Sequence, residues 1–484
     1  MVGMVNSDPF RPFFYSQTQH SSQFKYMPVT LIHRKTALAI ILTVQLMLAM
    51  DFLIVVVSLK NIQADLGFTA TELSWIPNAF GLAFGGLLLL GGRLGDLIGQ
   101  VKAFQIGLAI FVVASLTGGL AISPSILITA RVFQGIGSAM AAPSVLALIT
   151  IMARNEDEKN RGLSLFIAVS SIGASVGLIL GGALTAFISW RWSLLINVPI
   201  GAVAFAAIPF IVPETNRIKG KIDVFGAVTG ALGSTALVFG FISAGESGWL
   251  SLFTLSSFIG SAVLFIIFVR IQSKVAEPLL KLSILSPTPR RGGLTVMAVI
   301  CGMHFAVLFL ILQYFQQVLN YNPLLAGCAY LPLTTVVFMI SNFVPGLVTK
   351  FGVRTLLITG SILVAVSLVG FSKLTGTSTY FGDVLPSLLV HSMGIALVFI
   401  PGSILILDGI DDQDAGIASG ILQISQQIGG AIGIAAIISI YTANLRPQDF
   451  SSGLNTAFLV AAGIALTAAL IAILTIPRKR GKNW

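Results

Sequence analysis

Residues 74–104 read SWIPNAFGLAFGGLLLLGGRLGDLIGQVKAF. An almost unbroken apolar run, 74–92, passes into a short hinge rich in glycine, and a second apolar run opens at 103. A helix crossing hydrocarbon needs about 20 apolar residues. Inside a bilayer every backbone polar group must be satisfied within its own segment, which favours helices. The stretch therefore reads as two membrane-spanning helices joined by a tight turn at the water surface. The same pattern continues outward in both directions. Fourteen runs qualify, at about 36–59, 74–92, 103–122, 126–152, 162–188, 192–212, 223–243, 251–271, 293–318, 325–349, 353–371, 384–407, 415–441 and 455–476. Composition agrees: 55% of the 484 residues are hydrophobic, only 10% are charged, and mean hydropathy is +0.94. A soluble domain carries about 25% charged residues.

The distribution of basic residues orients the chain. Of 28 Lys and Arg, Lys60, Arg191, Lys373 and Arg446 fall on one side, Arg131 falls inside a run, and the remaining 23 fall on the side of the termini. By the positive-inside rule both termini are expected in the cytoplasm. The net charge of +10 is therefore a membrane-topology signal and not a sign of nucleic-acid binding. The first apolar run is too long for a cleavable signal core and has no small-residue site after it. Cys301 and Cys328 lie in or near apolar runs and indicate no disulfide framework.

Ile172-Gly173-Ala174-Ser175-Val176-Gly177 recurs as Ile428-Gly429-Gly430-Ala431-Ile432-Gly433, and Gly91 to Gly99 has a weaker echo in Pro345 to Arg354. Both echoes map a run onto the one eight later. The expected fold is all-α, with two similar six-helix halves and two inserted helices. Its divisions are a disordered cytoplasmic N-terminus (1–35), an N-terminal half (36–212), the inserted pair with flanking loops (213–292), a C-terminal half (293–476) and a basic tail (477–484). Parallel repeats of this kind build transporters with a midplane site between the halves.

Two charges lie inside the runs, Asp51 in the first and Arg131 in the fourth, at similar depth. An ionised side chain in hydrocarbon costs several kcal/mol and usually marks an ion or substrate pathway. Burial disfavours a carboxylate and a nearby cation favours it, so the pair can set a proton-exchange site. The alternatives are an ion pair that never titrates, an arginine that only anchors its helix, or an acid that binds a cationic substrate directly.

The hinge Gly-Gly-Arg-Leu-Gly-Asp-Leu-Ile-Gly-Gln-Val-Lys (91–102) resembles the signature loop of the major facilitator superfamily, Gly-x-Leu-x-Asp-x-x-Gly followed by basic residues. LITARVFQGIGSAM (127–140) is similar to that superfamily's fourth-helix motif, and Gly173–Leu184 to its fifth-helix motif. Met50-Asp51-Phe52-Leu53-Ile54-Val55, Trp190-Arg191-Trp192 with Asn197-Val198-Pro199-Ile200-Gly201, Gln313-Tyr314-Phe315-Gln316-Gln317-Val318 with Gly327 and Pro332, and Ala415–Gly420 resemble its fourteen-helix drug:proton antiporter branch. There are departures. Leu97 and Gln100-Val101 stand where basic residues are usual, Leu178 stands where the exporter motif has Pro, and Leu53, Val56 and Lys60 replace Thr, Asn and Pro.

The resemblance implies a proton-coupled exporter of lipophilic small molecules in a bacterial cytoplasmic membrane. It implies a monomer with no cofactor beyond the proton gradient and no enzymatic activity. Asp51 and Arg131 would couple protons. Gly92, Asp96, Gly99 and Lys102 would form a gating loop, with Asp96 against the start of helix 13; the plainer reading of Asp96 is a solvated loop acid. Gly173, Gly177, Gly181 and Gly182 would let helices approach closely. His304, Gln313, Tyr314, Gln317 and His391 are candidate cavity-lining residues. Either histidine can carry a proton, or be a packed, hydrogen-bonded ring. Gln313, Tyr314, Gln316 and Gln317 line an outer mouth or form an interface. Asp408, Asp411, Asp412 and Asp414 read as caps at the start of helix 13. The missing proline at 178 keeps open a proton-coupled symporter importing an organic acid or siderophore-like solute; a non-transporting membrane sensor is a third reading, which the charge pair opposes only if it titrates.

Overall fold

A computed structural model describes residues 31–478 except 70–71, 213, 215–216, 218–222, 276–277, 281, 342, 411–414 and 447–450. The N-terminal segment up to residue 30 and Asp411, Asp412 and Asp414 of the acidic loop lie outside the described residues. Fourteen helices are long and apolar enough to span a bilayer. We number them α1 (Leu31–Val56), α2 (Trp75–Ile98), α3 (Gln100–Gly119), α4 (Pro124–Met152), α5 (Glu156–Phe187), α6 (Asn197–Ile211), α7 (Val224–Ser247), α8 (Leu252–Gln272), α9 (Thr288–Gln317), α10 (Pro323–Ser341), α11 (Val353–Phe371), α12 (Leu385–Leu407), α13 (Ala415–Ala443) and α14 (Leu454–Thr475). Even-numbered crossing returns both ends of the described chain to one face, here called the terminal side; the opposite face is the distal side.

Local chemistry sets the helix starts. Ser123 accepts from the Ile126 N–H with Pro124 at the first turn, Asn155 from Glu158, Asp223 from Gly226 and Ser251 from Thr254. Each cap satisfies a backbone donor that the helix leaves orphaned. Three boundaries differ from the apolar pattern. The sixth run is broken into Trp192–Leu195 and α6, and the tenth into α10 and a short helix, Val344–Phe351. A further amphipathic helix, Leu59–Leu66, follows α1 and buries Leu59 and Ile62. Hydropathy windows average over such short elements and miss them.

The two halves use the same glycine contacts. A methyl group at Gly177 of α5 would lie 2.7 Å from Met50 O of α1; one at Gly433 of α13 would lie 2.2 Å from Gly302 Cα of α9. Gly107 and Gly137 bring α3 against α4, as Gly360 and Gly394 bring α11 against α12. In the absence of side chains the backbones approach to van der Waals contact, which is how membrane helices associate without a hydrophobic drive between them. The repeat seen at 172–177 and 428–433 is therefore a repeated helix crossing.

The halves meet along α5–α10 and α2–α13. Gly182 backs onto Pro323 O, and Gly327 onto the Leu178 carbonyl. Leu178 is fully buried at that crossing. On the distal side Gln316 Nε2 donates to Val57 O at 2.7 Å and Lys60 Nζ to Gln316 O at 2.5 Å. Mid-span, Ser175 donates to Thr334 at 2.9 Å. These hydrogen bonds tie the halves together on the distal side and at mid-span. The inserted helices α7 and α8 pair with each other, and α7 covers the α2–α13 seam. The outer face of α8 is apolar and exposed, as a lipid-facing surface must be.

Candidate functional site

Asp51 and Arg131 come together as one fully buried ion pair, with both side chains at 0% exposure. Arg131 Nη1 donates to Asp51 Oδ2 at 2.5 Å and to Gln134 Oε1 at 2.8 Å, and Arg131 Nε donates to the Ile76 carbonyl at 3.2 Å. The guanidinium carbon lies 4.4 Å from the Phe80 ring centroid, within cation–π range. Asp51 Oδ1 receives Asn197 Nδ2 at 2.7 Å and Gln134 Nε2 at 3.2 Å. Gln134 Nε2 also donates to Ser115 Oγ at 2.8 Å. Five helices thus converge: α1 brings the acid, α4 the arginine and Gln134, α6 Asn197, α3 Ser115 and α2 the Ile76 carbonyl and Phe80.

The charges were legible as charges; the uncharged partners were not. Gln134 and Asn197 sit inside stretches quoted as motifs, but nothing in sequence assigns an amide to a carboxylate 83 or 146 residues away. Their chemistry matters, because an amide can exchange donor for acceptor by a half-turn. Asn197 Oδ1 is buried without a hydrogen-bond partner. A half-turn of that amide would present Oδ1 to a protonated Asp51, so the cage can hold either protonation state. Arg131 Nη2 is also without a partner. The cation is therefore two N–H donors short of full satisfaction, a state that costs free energy in a dry interior.

Beside this pair, between the halves, is a slot too narrow to admit a water molecule. Phe52, Asn78 and Gly81 line it from the N-terminal half, and Phe305, Gln427 and Ile434 from the C-terminal half. Both amide atoms of Asn78 and Oε1 of Gln427 are buried without partners. Drug-sized ligands occupy clefts of about 300–1,000 Å³, so the slot fits one only after the halves part.

The other expected residues fall in three places. His304 and His391 are joined by a ring–ring hydrogen bond of 3.2 Å within the C-terminal half. Gln313 and Tyr314 do not line an opening. Both are buried, the Tyr314 hydroxyl donates to Thr375 O at 2.6 Å, and Gln317 donates to Gln313 at 3.0 Å. Their polar groups are consumed in sealing the distal end of α9, so the interface reading replaces the outer-mouth reading. Gly173, Gly177 and Gly181 pack on α1, whereas Gly182 packs on α10 across the seam.

In the loop, the Asp96 carboxylate accepts from Gln100 Nε2 at 3.1 Å. The expected partner, the start of α13, borders residues 411–414, which lie outside the described residues. Gly99 has φ +102°, and a methyl group on it would lie 2.4 Å from Glu214 Oε1. Glycine alone accommodates both the positive φ and that approach. Glu214 then accepts the Val101 and Lys102 backbone N–H groups at 3.0 Å each. A carboxylate at a helix start is stabilised by the exposed N–H groups and the dipole. The hinge is thus tied to the segment after α6 through an acid that sequence reading passed over. Gly92 faces Pro143 of α4, and the Lys102 side chain is exposed.

Trp190-Arg191 also acquires a purpose. Trp190 Nε1 donates to Asp65 Oδ2 at 2.9 Å, Arg191 pairs with the same carboxylate, and Arg191 Nη2 donates to Ala121 O at 3.0 Å. Together they clasp the distal loops of the N-terminal half. The Arg191 guanidinium, with the Trp190 indole, holds the Asp65 carboxyl below its ordinary range.

Among known proteins, the chain is 34% identical to the cephamycin export protein CmcT of Amycolatopsis lactamdurans, over 91% of each chain. It is 32% identical to the MFS-type transporter EfpA of Mycobacterium tuberculosis, over 90% of this chain and 82% of that one. It is 31% identical to the puromycin resistance protein of Streptomyces alboniger, over 84% and 81%. Among solved structures it resembles the peptide transporter POT in complex with sulfate, with a TM-score of 0.68 and 14% identity over 91% and 94% of the two chains, a likeness of fold alone. Residues 40–434 match the family model of the Major Facilitator Superfamily. This chain is an integral, multi-pass membrane protein that belongs to the Major Facilitator Superfamily.

Proposed function

We propose that this protein is a proton-coupled secondary transporter that exports lipophilic small molecules, by alternating access, across a bacterial cytoplasmic membrane in which both termini are cytoplasmic. The observation that carries the reading is the buried Asp51–Arg131 pair caged by Gln134 and Asn197 beside the slot between the halves. It is supported by relatives named as export and resistance proteins.

Asp51 is the proton carrier. Opposite Arg131, an ionised Asp51 gives a net charge of zero; protonated, the same site carries +1. The two states thus differ by one charge in a region of low dielectric, where an uncompensated cation is costly. With the site open to the outside, Asp51 takes a proton and Arg131 loses its partner. Opening to the cytoplasm releases that proton and restores the pair. Each charge moved across 100 mV is worth about 2.3 kcal/mol. The slot supplies the substrate end: Phe52 and Phe305 suit an apolar body, and the unpartnered Asn78 amide and Gln427 Oε1 suit a polar handle on it. The hydrogen-bonded distal seam supports reading this as a form closed to the outside.

The test is transport by the purified chain in lipid vesicles. Ethidium and a neutral fluorescein ester serve as probes, with an imposed pH gradient. Dye is expected to move against the proton flow and to stop when a protonophore collapses the gradient. Dye moving with protons, or no gradient-dependent movement of either probe, overturns the proposal.

A further inference from the structure

The His304–His391 pair is not an isolated packing contact. It repeats, helix for helix, the polar chain around Asp51. Gly177 packs on Met50, one residue before Asp51; its counterpart Gly433 packs on Gly302, two before His304. Gly173 packs on Ala49 and Gly429 on Ala298, so the two crossings together place Asp51 and His304 within about one helical turn of the same level on α1 and α9. Gly137 and Gly394 mark the α3–α4 and α11–α12 crossings, and Gln134 and His391 each lie three residues before them. Ser115 lies eight residues after Gly107 and Ser367 seven after Gly360, on the partner helices of the same crossings. The chain Asp51···Gln134···Ser115 in one half is thus matched by His304···His391···Ser367 in the other. The latter has ring nitrogens 3.2 Å apart and His391 Nδ1 at 2.9 Å from Ser367 Oγ.

The protons in this chain can be placed. Ser367 Oγ lies 2.6 Å from the Val364 carbonyl, which only accepts, so the single hydroxyl proton points there. Ser367 must then accept from His391, which fixes the proton on His391 Nδ1. A neutral His391 accepts at Nε2, so His304 donates from Nδ1 and keeps a lone pair at Nε2. His304 is only partly buried, and its Nε2 has no described hydrogen-bond partner, whereas His391 is fully buried. A proton added at His304 Nε2 breaks none of these bonds. A second would have to displace the ring–ring bond. Phe399, edge-on at 6.1 Å from His304, and Phe371, at 6.2 Å from His391, enclose the pair in aromatic rings.

One member has no counterpart. Arg131 lies three residues before Gln134; three before His391 is Leu388, fully buried. This difference balances the electrostatics. An acid with a fixed cation goes from net zero to +1 on protonation, and so does a base without one. Other ionisable groups on the elements packed against α9 and α12 stand at the helix ends or are weak. They are Arg290, Arg291, Lys350, Arg354 and Asp408 on the terminal side, Lys60, Asp65, Lys373 and Asp383 on the distal side, and the thiols and phenols of Cys301, Cys328, Tyr314, Tyr330, Tyr380 and Tyr441. Among the described residues none of them hydrogen-bonds to either ring. Across the seam Phe52, next to Asp51, meets Phe305, next to His304, with ring centroids 5.0 Å apart.

We propose that His304, positioned by His391 and Ser367, is a second proton-binding site, in the C-terminal half, pseudo-symmetric to Asp51. The two sites load one proton each on either side of the Phe52–Phe305 contact. This rests on the proton-coupled reading above, but the first arm of its test does not. The whole chain contains four histidines, His20, His33, His304 and His391. With nitrogen-15-labelled histidine, NMR in lipid nanodiscs is expected to show His304 and His391 shifting together on uptake of one proton between about pH 8 and pH 5, with His391 Nδ1 protonated throughout. His304→Asn keeps a donor toward His391 and abolishes that titration. In vesicles the same variant still moves dye, but with one proton fewer per dye than wild type. Two rings that titrate independently, rings that stay neutral to pH 5, or an unchanged proton-to-dye ratio in His304→Asn overturn the proposal. Should that variant not fold, Ser367→Ala reads the same chain: it is expected to release the His391 tautomer, and an unchanged tautomer overturns the assignment.

Discussion

Neutralising Asp51 separates stability from coupling. Asp51→Asn leaves Arg131 as a buried cation whose only charged partner is gone, with one nitrogen already unpartnered. Removing one member of a buried pair costs about 3–5 kcal/mol. The new amide also meets donors on both sides, Arg131 at one oxygen position and Gln134 and Asn197 at the other. A half-turn of Asn197 relieves part of this; Gln134 is held by its bonds to Arg131 and Ser115. Replacing both members, Asp51→Asn with Arg131→Leu, removes the stranded charge. It forfeits the Ile76 and Gln134 hydrogen bonds, at about 1 kcal/mol each. The double variant is therefore expected to lie about 2 kcal/mol below wild type and above Asp51→Asn. The assay is unfolding by sodium dodecyl sulfate titration, run as a double-mutant cycle, with dye transport measured on the same preparations. None of the variants is expected to concentrate dye against a gradient. Additive single losses, or gradient-driven transport by the double variant, would refute the reasoning.

Three further outcomes follow from the packing. Gly433→Ala places a methyl group 2.2 Å from Gly302 Cα; overpacking of this kind costs about 1–3 kcal/mol, read as a lower melting temperature by size-exclusion chromatography after heating. Gln316→Ala removes the side-chain bond across the distal seam. A loss of about 1 kcal/mol shifts the inside/outside balance about fivefold toward the outward-open form, measured by labelling of distal-side cysteines in a cysteine-free background. Arg191→Gln releases Asp65. Because the folded Asp65 carboxyl titrates below its ordinary value, its contribution is present above about pH 4 and is lost as pH falls through the lowered value. The small stability gap between wild type and Arg191→Gln is therefore expected to be constant from about pH 5 to pH 7 and to close below about pH 4. A gap that widens on acidification contradicts the assignment.

The fold was legible because a bilayer imposes length and apolarity on every crossing, and fourteen runs obeyed both. Asp51 and Arg131 were legible for the converse reason: charge is so rare inside those runs that its presence is informative. What stayed hidden was pairing across the chain by residues that are unremarkable one at a time. Gln134, Asn197 and Ser115 are ordinary polar side chains until folding converges them on one carboxylate. His304 and His391 lie 87 residues apart, and only the helix crossings make them neighbours. Glu214 and Asp65 lie between the apolar runs, where acids are expected to be solvated, yet one caps α3 and the other, on the short helix Leu59–Leu66, anchors Trp190 and Arg191. Gln313 and Tyr314 misled in the opposite sense: a polar, aromatic helix end suggests a mouth, but here its hydrogen bonds close the seam.

The coupling claim is tested most directly by proton release on substrate binding. Purified chain in weakly buffered detergent solution is mixed with ethidium while pH is followed by an indicator, so that binding and proton loss are read from one sample without any membrane gradient. Wild type is expected to release protons in proportion to dye bound, and Asp51→Asn to release one fewer per dye. Equal release from the two proteins would contradict a role for Asp51 in exchanging protons for substrate.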